Sequence, residues 1–150
     1  MRFTTKARYG LRFLIDLALN SADGPVRLSE VAMRQKISKK YLEHIVSKLL
    51  ASGFIKSIRG SKGGFVLAKP MEQISVLEAI EALDGRINVV ECILMPNACK
   101  RTSECIARKL WMKVNEAIRQ ALKDVTLKDL VSEAKRKMGG ESKATSGRRY

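Results

Sequence analysis

Apolar residues recur at helical spacing along most of this chain and alternate, strand-like, over one short stretch. Over Thr5–Asn20, Ala7, Leu11, Leu14, Ile15 and Ala18 form one stripe of an amphipathic helix that Thr4 or Thr5 can cap. Asp23-Gly24-Pro25 marks residues 21–25 as a turn, residues 26–28 are short and β-like, and residues 29–35 read as a short helix burying Val31 and Ala32. Ile37-Ser38 then turns the chain, and Ser38 caps a second helix, Lys39–Ala51, whose inner side is Tyr41, Leu42, Ile45, Val46, Leu49 and Leu50. Gly53 ends it. Residues 54–59 alternate as a strand, residues 60–64 (GSKGG) turn, and residues 65–67 return.

Beyond residue 70 the pattern is helical again. Ser75 and Glu78 make a capping box for a helix through residue 83, which Asp84-Gly85 breaks. Residues 103–125 carry Ile106, Leu110, Val114, Ile118, Ala121 and Leu122 on one face, a helix of about 35 Å at 1.5 Å per residue. Thr126 and Asp129 cap a last helix to about residue 137. Residues 139–150 (GGESKATSGRRY) are polar and are expected to form a disordered tail. A long helix outside a compact head pairs readily with its twin, so Leu110, Val114, Ile118 and Leu122 are the expected seam of a homodimer.

The polar faces add function. The outer side of Lys39–Ala51 holds Lys39, Lys40, Glu43, His44, Ser47 and Lys48. Two short helices joined by a tight turn, with a basic outer face on the second, form the helix-turn-helix pattern, and the basic-tipped hairpin after it reads as a wing. An ordinary helical hairpin with a surface β-hairpin has the same periodicity; charge separates the two. The net charge of +14 calls for a polyanionic partner, and residues 1–70 hold 14 Lys and Arg against 4 Asp and Glu, whereas residues 71–138 hold 12 against 10. Double-stranded DNA is the expected partner, met by Arg2, Lys6, Arg8, Lys39, Lys40, Tyr41, Glu43, His44, Arg59, Ser61 and Lys62.

The expected fold class is mainly α with a small β-hairpin. Residues 1–70 form a winged helix-turn-helix DNA-binding region, residues 71–138 a cysteine loop and long dimerisation helix, and residues 139–150 the tail. Neither a signal peptide nor an apolar run long enough to span a bilayer is apparent, so a cytoplasmic protein without membrane contact is expected.

All three cysteines, Cys92, Cys99 and Cys105, lie within 91–108, ECILMPNACKRTSECIAR. Pro96-Asn97 favours a turn that lets the loop fold back and aim three sulfurs at one centre. Thiolates suit an iron–sulfur cluster, zinc or copper(I), and Lys100, Arg101, Arg108 and Lys109 would stabilise them. Structural zinc favours short C-x-x-C knuckles with four protein ligands, so iron–sulfur is the better fit. A redox-active disulfide and incidental packing are the other readings. Catalytic thiols would need a partnered histidine or acidic base, which the loop lacks, so no enzyme is expected.

Taken together, RFTTKARYGLRFLIDLAL, ISKKYLEHIVSKL, IRGSKGGFVL, the cysteine loop followed by Leu110-Trp111, and VTLKDLV resemble a bacterial winged-helix regulator family. It includes the iron–sulfur cluster regulator IscR, the nitric-oxide sensor NsrR and the cysteine-metabolism repressor CymR. The resemblance covers residues 1 to about 131 and implies a homodimer that binds palindromic operators, often under control of a cluster. It puts Lys39, Lys40, Tyr41, Glu43 and His44 on the recognition helix, Arg59 in the minor groove, and Cys92, Cys99 and Cys105 on the cluster, with 2Fe–2S favoured over 4Fe–4S.

Two departures stand out. The gap from Cys92 to Cys99 holds six residues where IscR-like and NsrR-like chains have five. The fourth ligand of IscR-like chains, a histidine three places after the last cysteine, is Arg108 here, and the aspartate of NsrR-like chains is Arg8. The fourth ligand is therefore unknown, with Glu91, Asn97 and Glu104 as nearby candidates, and a cluster-free regulator switched by cysteine oxidation or a protein partner stays open. CymR-like members lack these cysteines, which sets this chain apart from them.

Overall fold

The computed structural model describes residues 1–139; the expected tail, apart from Gly139, lies outside the described residues. Helix α1, Thr5–Asn20, starts where the Thr4 hydroxyl accepts from the Ala7 amide (3.2 Å). Helix α2, Leu28–Gln35, begins one residue earlier than its periodicity suggests, because the Arg27 amide donates to Glu30 Oε2 (3.3 Å) and closes a turn there. The β-like stretch is thereby reduced to Val26, which bridges to Phe65. Ser38 caps α3, Lys39–Ala51, by accepting from the Tyr41 amide (3.1 Å).

Leu50 is a correction: it is 38% exposed. It lies roughly 100° round the helix from Leu49, past the edge of the stripe that Leu42, Ile45, Val46 and Leu49 bury.

The hairpin pairs β1, Ile55–Ile58, antiparallel with β2, Gly64–Leu67, in the register Ile55↔Leu67 to Ile58↔Gly64. Phe54 stays outside the strand, its amide donating to Leu49 O at the end of α3. The Ser75 capping box opens α4, Val76–Asp84. Helix α5, Ile106–Lys123, starts later than expected because the amides of Thr102 and Glu104 close tight turns (to Cys99 O and Arg101 O) ahead of it. Thr126 and Asp129 cap each other reciprocally at the start of α6, Leu127–Gly139.

Helix α1 is the axis of the core. Phe13, Leu14 and Leu17 are fully buried against Leu42, Ile45 and Leu49 of α3, and Ile74, Leu83, Leu127 and Val131 share the same cluster. Gly10 lets α4 come close: a Cβ there would lie 2.2 Å from Leu83 Cδ1. A second cluster of Ala7, Val76, Leu77, Ile80 and Ile87 is covered by Ile118 and Leu122 of α5.

One buried charge fixes α2. Asp16 is 2% exposed and accepts from Arg34 through Nε (3.0 Å) and Nη2 (2.7 Å), and from Gln35 Nε2 (2.9 Å). Removing one partner from such a pair strands the other, so the network ties the first helix of the helix-turn-helix to α1.

Candidate nucleic-acid interface and cysteine loop

Lys39, Lys40, Glu43 and His44 all stand exposed on α3. Tyr41 is half-buried and meets Tyr9 edge-to-face at 5.8 Å, while Arg12 lies 5.1 Å over the Tyr9 ring and donates to Gln35 Oε1 (3.1 Å). The Asp16 network thus reaches the first turn of α3 through Gln35, Arg12 and Tyr9. Arg12 carried no sign of this bridging role in the sequence, because Gln35 lies on α2, 23 residues away.

At the start of α1, Arg2 and Arg8 are exposed, and Lys6 is half-buried. Lys48 is exposed on the same outer side of α3, and its Nζ donates to Leu83 O (2.8 Å) at the end of α4. The neighbouring Lys6, then burial, holds the Lys48 ammonium below the ordinary lysine value. Arg59, Ser61 and Lys62 are exposed on the wing, where Gly63 N donates to Gly60 O (3.0 Å) across the turn.

The cysteine loop is built from single 3-10 turns at Glu91–Ile93 and Pro96–Ala98. The Thr102 hydroxyl lies 2.7 Å from Pro96 O and 2.8 Å from Cys99 O and draws the turns together. All three cysteines are free thiols; Cys92 is half-buried, Cys99 and Cys105 exposed. Cys99 lines a cavity of about 490 Å³ with Lys100 and Arg108, whereas Cys105 lines a separate one with Arg101 and Glu104. Among the described residues no three Cys, His, Asp or Glu side chains converge on a point that could hold a metal ion. The donor type and number suit three positions of an iron–sulfur cluster.

Arg108, at the position of the missing histidine, turns its guanidinium to the loop. Its Nη2 donates to Cys92 O (3.4 Å), and its Nε is buried without a partner. Asn115, buried on α5, accepts from the Val89 amide (2.9 Å), and Glu81, ion-paired with Arg119, accepts from the Ile87 amide (3.1 Å). These contacts clamp the segment leading into the loop onto α5. Asn115 was invisible to a reading of apolar stripes.

The apolar face of α5 divides. Ile118 and Leu122 pack on the chain's own second cluster, Val114 is half-buried, and Leu110 (54%) and Ile106 (89%) are exposed. The stripe is spread over roughly a third of the helix circumference, so its two edges meet different surroundings. No helix among the described residues is long and apolar enough to cross a membrane.

Residues 3–133 match the model of the Rrf2 family, described as iron-dependent transcriptional regulator. The HTH-type transcriptional regulator IscR of Klebsiella pneumoniae (strain 342) is 37% identical over 132 residues, 88% of this chain and 80% of that protein. The solved structure of T. potens IscR superposes with a TM-score of 0.77 at 30% identity, covering 95% of this chain and 94% of that one. CymR, the global cysteine regulator of B. subtilis, gives 0.75 at 35% identity over 89% and 98%. The mainly α fold with its winged hairpin is that of these regulators, and the relatives are not enzymes.

Proposed function

Since the chain belongs to the Rrf2 family of transcriptional regulators, we propose that it binds palindromic operators in the cytoplasm as a homodimer and senses iron, redox state or nitric oxide through a cluster on Cys92, Cys99 and Cys105. The observation that carries the DNA half is the exposed row Lys39, Lys40, Glu43 and His44 on a helix locked to the core, followed by a wing bearing Arg59 and Lys62. Helix α3 enters the major groove, where Glu43 can accept from cytosine N4, and Arg59 enters the narrow, electronegative minor groove. Arg2, Lys6 and Arg8 face phosphates from the start of α1.

Ile106, Leu110 and Val114, continued by the exposed Ala117 and Ala121, form the α5 seam with a second copy. Half-sites about 34 Å apart would then meet the paired α3 helices. Sensing is assigned to the loop because it holds three free thiols and is clamped to α5 through Asn115 and Arg108. A 2Fe–2S cluster bound there would supply a charge that depends on iron and redox state. Arg108 has no free lone pair to ligate; it donates to the loop backbone and places positive charge beside the thiols. The exposure of Cys99 and Cys105 as free thiols supports one second reading: a cluster-free regulator switched by thiol oxidation.

The wing assignment is tested by comparing two arginines. Arg59→Ala should weaken binding to a duplex selected by the protein from random sequences by about 10-fold, as for one lost groove contact. Arg136→Ala, on the exposed end of α6 beside Glu133, should leave it within about twofold. Equal losses in a fluorescence anisotropy titration would contradict the wing's role.

A further inference from the structure

Residues 60–64, GSKGG, contain three glycines, and glycine-rich tips lose the most conformational freedom on ordering. The wing nonetheless has a defined support outside the hairpin. The main chain of Val26 pairs both ways with Phe65 (3.0 and 2.8 Å), so the segment before α2 lies alongside β2. Gly64 permits that approach, since a Cβ there would sit 2.5 Å from Val26 O. Arg27, the next residue, is exposed and anchored at its amide by Glu30. Its Nη2 reaches 34 residues along the chain to Ser61 O at the tip, at 2.5 Å.

Resting on the DNA-binding reading above, we infer that Arg27 is a positioning residue for the wing, holding the Ser61 carbonyl so that Arg59 and Lys62 are presented to DNA already ordered. The chemistry favours this use of the side chain. A guanidinium donating to a carbonyl makes a charge-assisted bond, stronger than a neutral one. It works against the mutual repulsion of three cations gathered at one tip, Arg27, Arg59 and Lys62. Ordering the tip before DNA arrives removes that entropy cost from the binding step.

The test is a double-mutant cycle on the full chain, read by anisotropy with the selected duplex. Arg27→Met should weaken binding by about 10-fold in the parent. In a chain already carrying Arg59→Ala and Lys62→Ala it should cost less than about 3-fold, because the groups it positions are gone. The same fold-loss in both backgrounds would overturn the proposal and make Arg27 an independent phosphate contact; no loss in the parent would overturn it too. If Arg59→Ala with Lys62→Ala binds like the parent, the wing reading itself fails and takes the proposal with it. A second readout needs no DNA: amide exchange at Lys62 and Gly63 should speed up in Arg27→Met while α2 amides hold. Unchanged tip exchange would count against the proposal.

Discussion

Operator affinity should fall by about 10³–10⁵ between 50 and 200 mM salt if the paired basic heads neutralise roughly 6–10 phosphates. The charge needed is local. Of the net +14, +10 lies in residues 1–70, and Arg8, Lys39, Lys40, Arg59 and Lys62 are all exposed there. Each neutralised phosphate releases condensed counterions, so the slope of log affinity against log salt counts the contacts. A flat response in an anisotropy titration would remove the electrostatic basis of the DNA interface.

Leu110→Asp should split the dimer and, with it, operator binding. Leu110 is 54% exposed in the single chain, so the substitution leaves the monomer's core untouched. Buried in a twofold seam, the new carboxylate would be unpaired and would appear twice, at about 3–5 kcal/mol for each stranded charge. That weakens dimerisation by at least about 10², which sedimentation velocity reads directly. Ile118→Asp should behave differently, because Ile118 packs on Ala7, Val76, Leu77, Ile80 and Ile87 of its own chain. It should lower thermal stability first. A dimer unchanged by Leu110→Asp would move the seam elsewhere.

The contrast between these two positions marks how far the sequence could be read. Helices α1, α3, α4 and α6 were legible because each has a local cap (Thr4, Ser38, Ser75, Thr126) and an apolar stripe buried within its own chain. The wing was legible because strand alternation and a glycine-rich turn are adjacent in sequence. Helix α5 was legible only as an element: some of its apolar residues pack on the chain's own second cluster while others stay exposed, and periodicity gives the angle of a residue but not what lies opposite. Arg27 to Ser61 and Asn115 to Val89 are hydrogen bonds across 34 and 26 residues, and no local pattern encodes them. For the cysteines, spacing gave proximity along the chain and could not give direction. Cys99 and Cys105 are six positions apart yet line different cavities.

The most direct test of the sensing mechanism is a count of iron and acid-labile sulfide per chain, in the parent and in Cys99→Ala, both purified without oxygen. Every thiolate is needed where a fourth protein ligand has not been found among the described residues, so a three-cysteine site has none to spare. The expected result is a brown parent with iron and sulfide in equal amounts, and a Cys99→Ala protein that has lost most of both. A colourless parent without iron, or equal iron in the two proteins, would contradict it and leave the exposed thiols as the sensor.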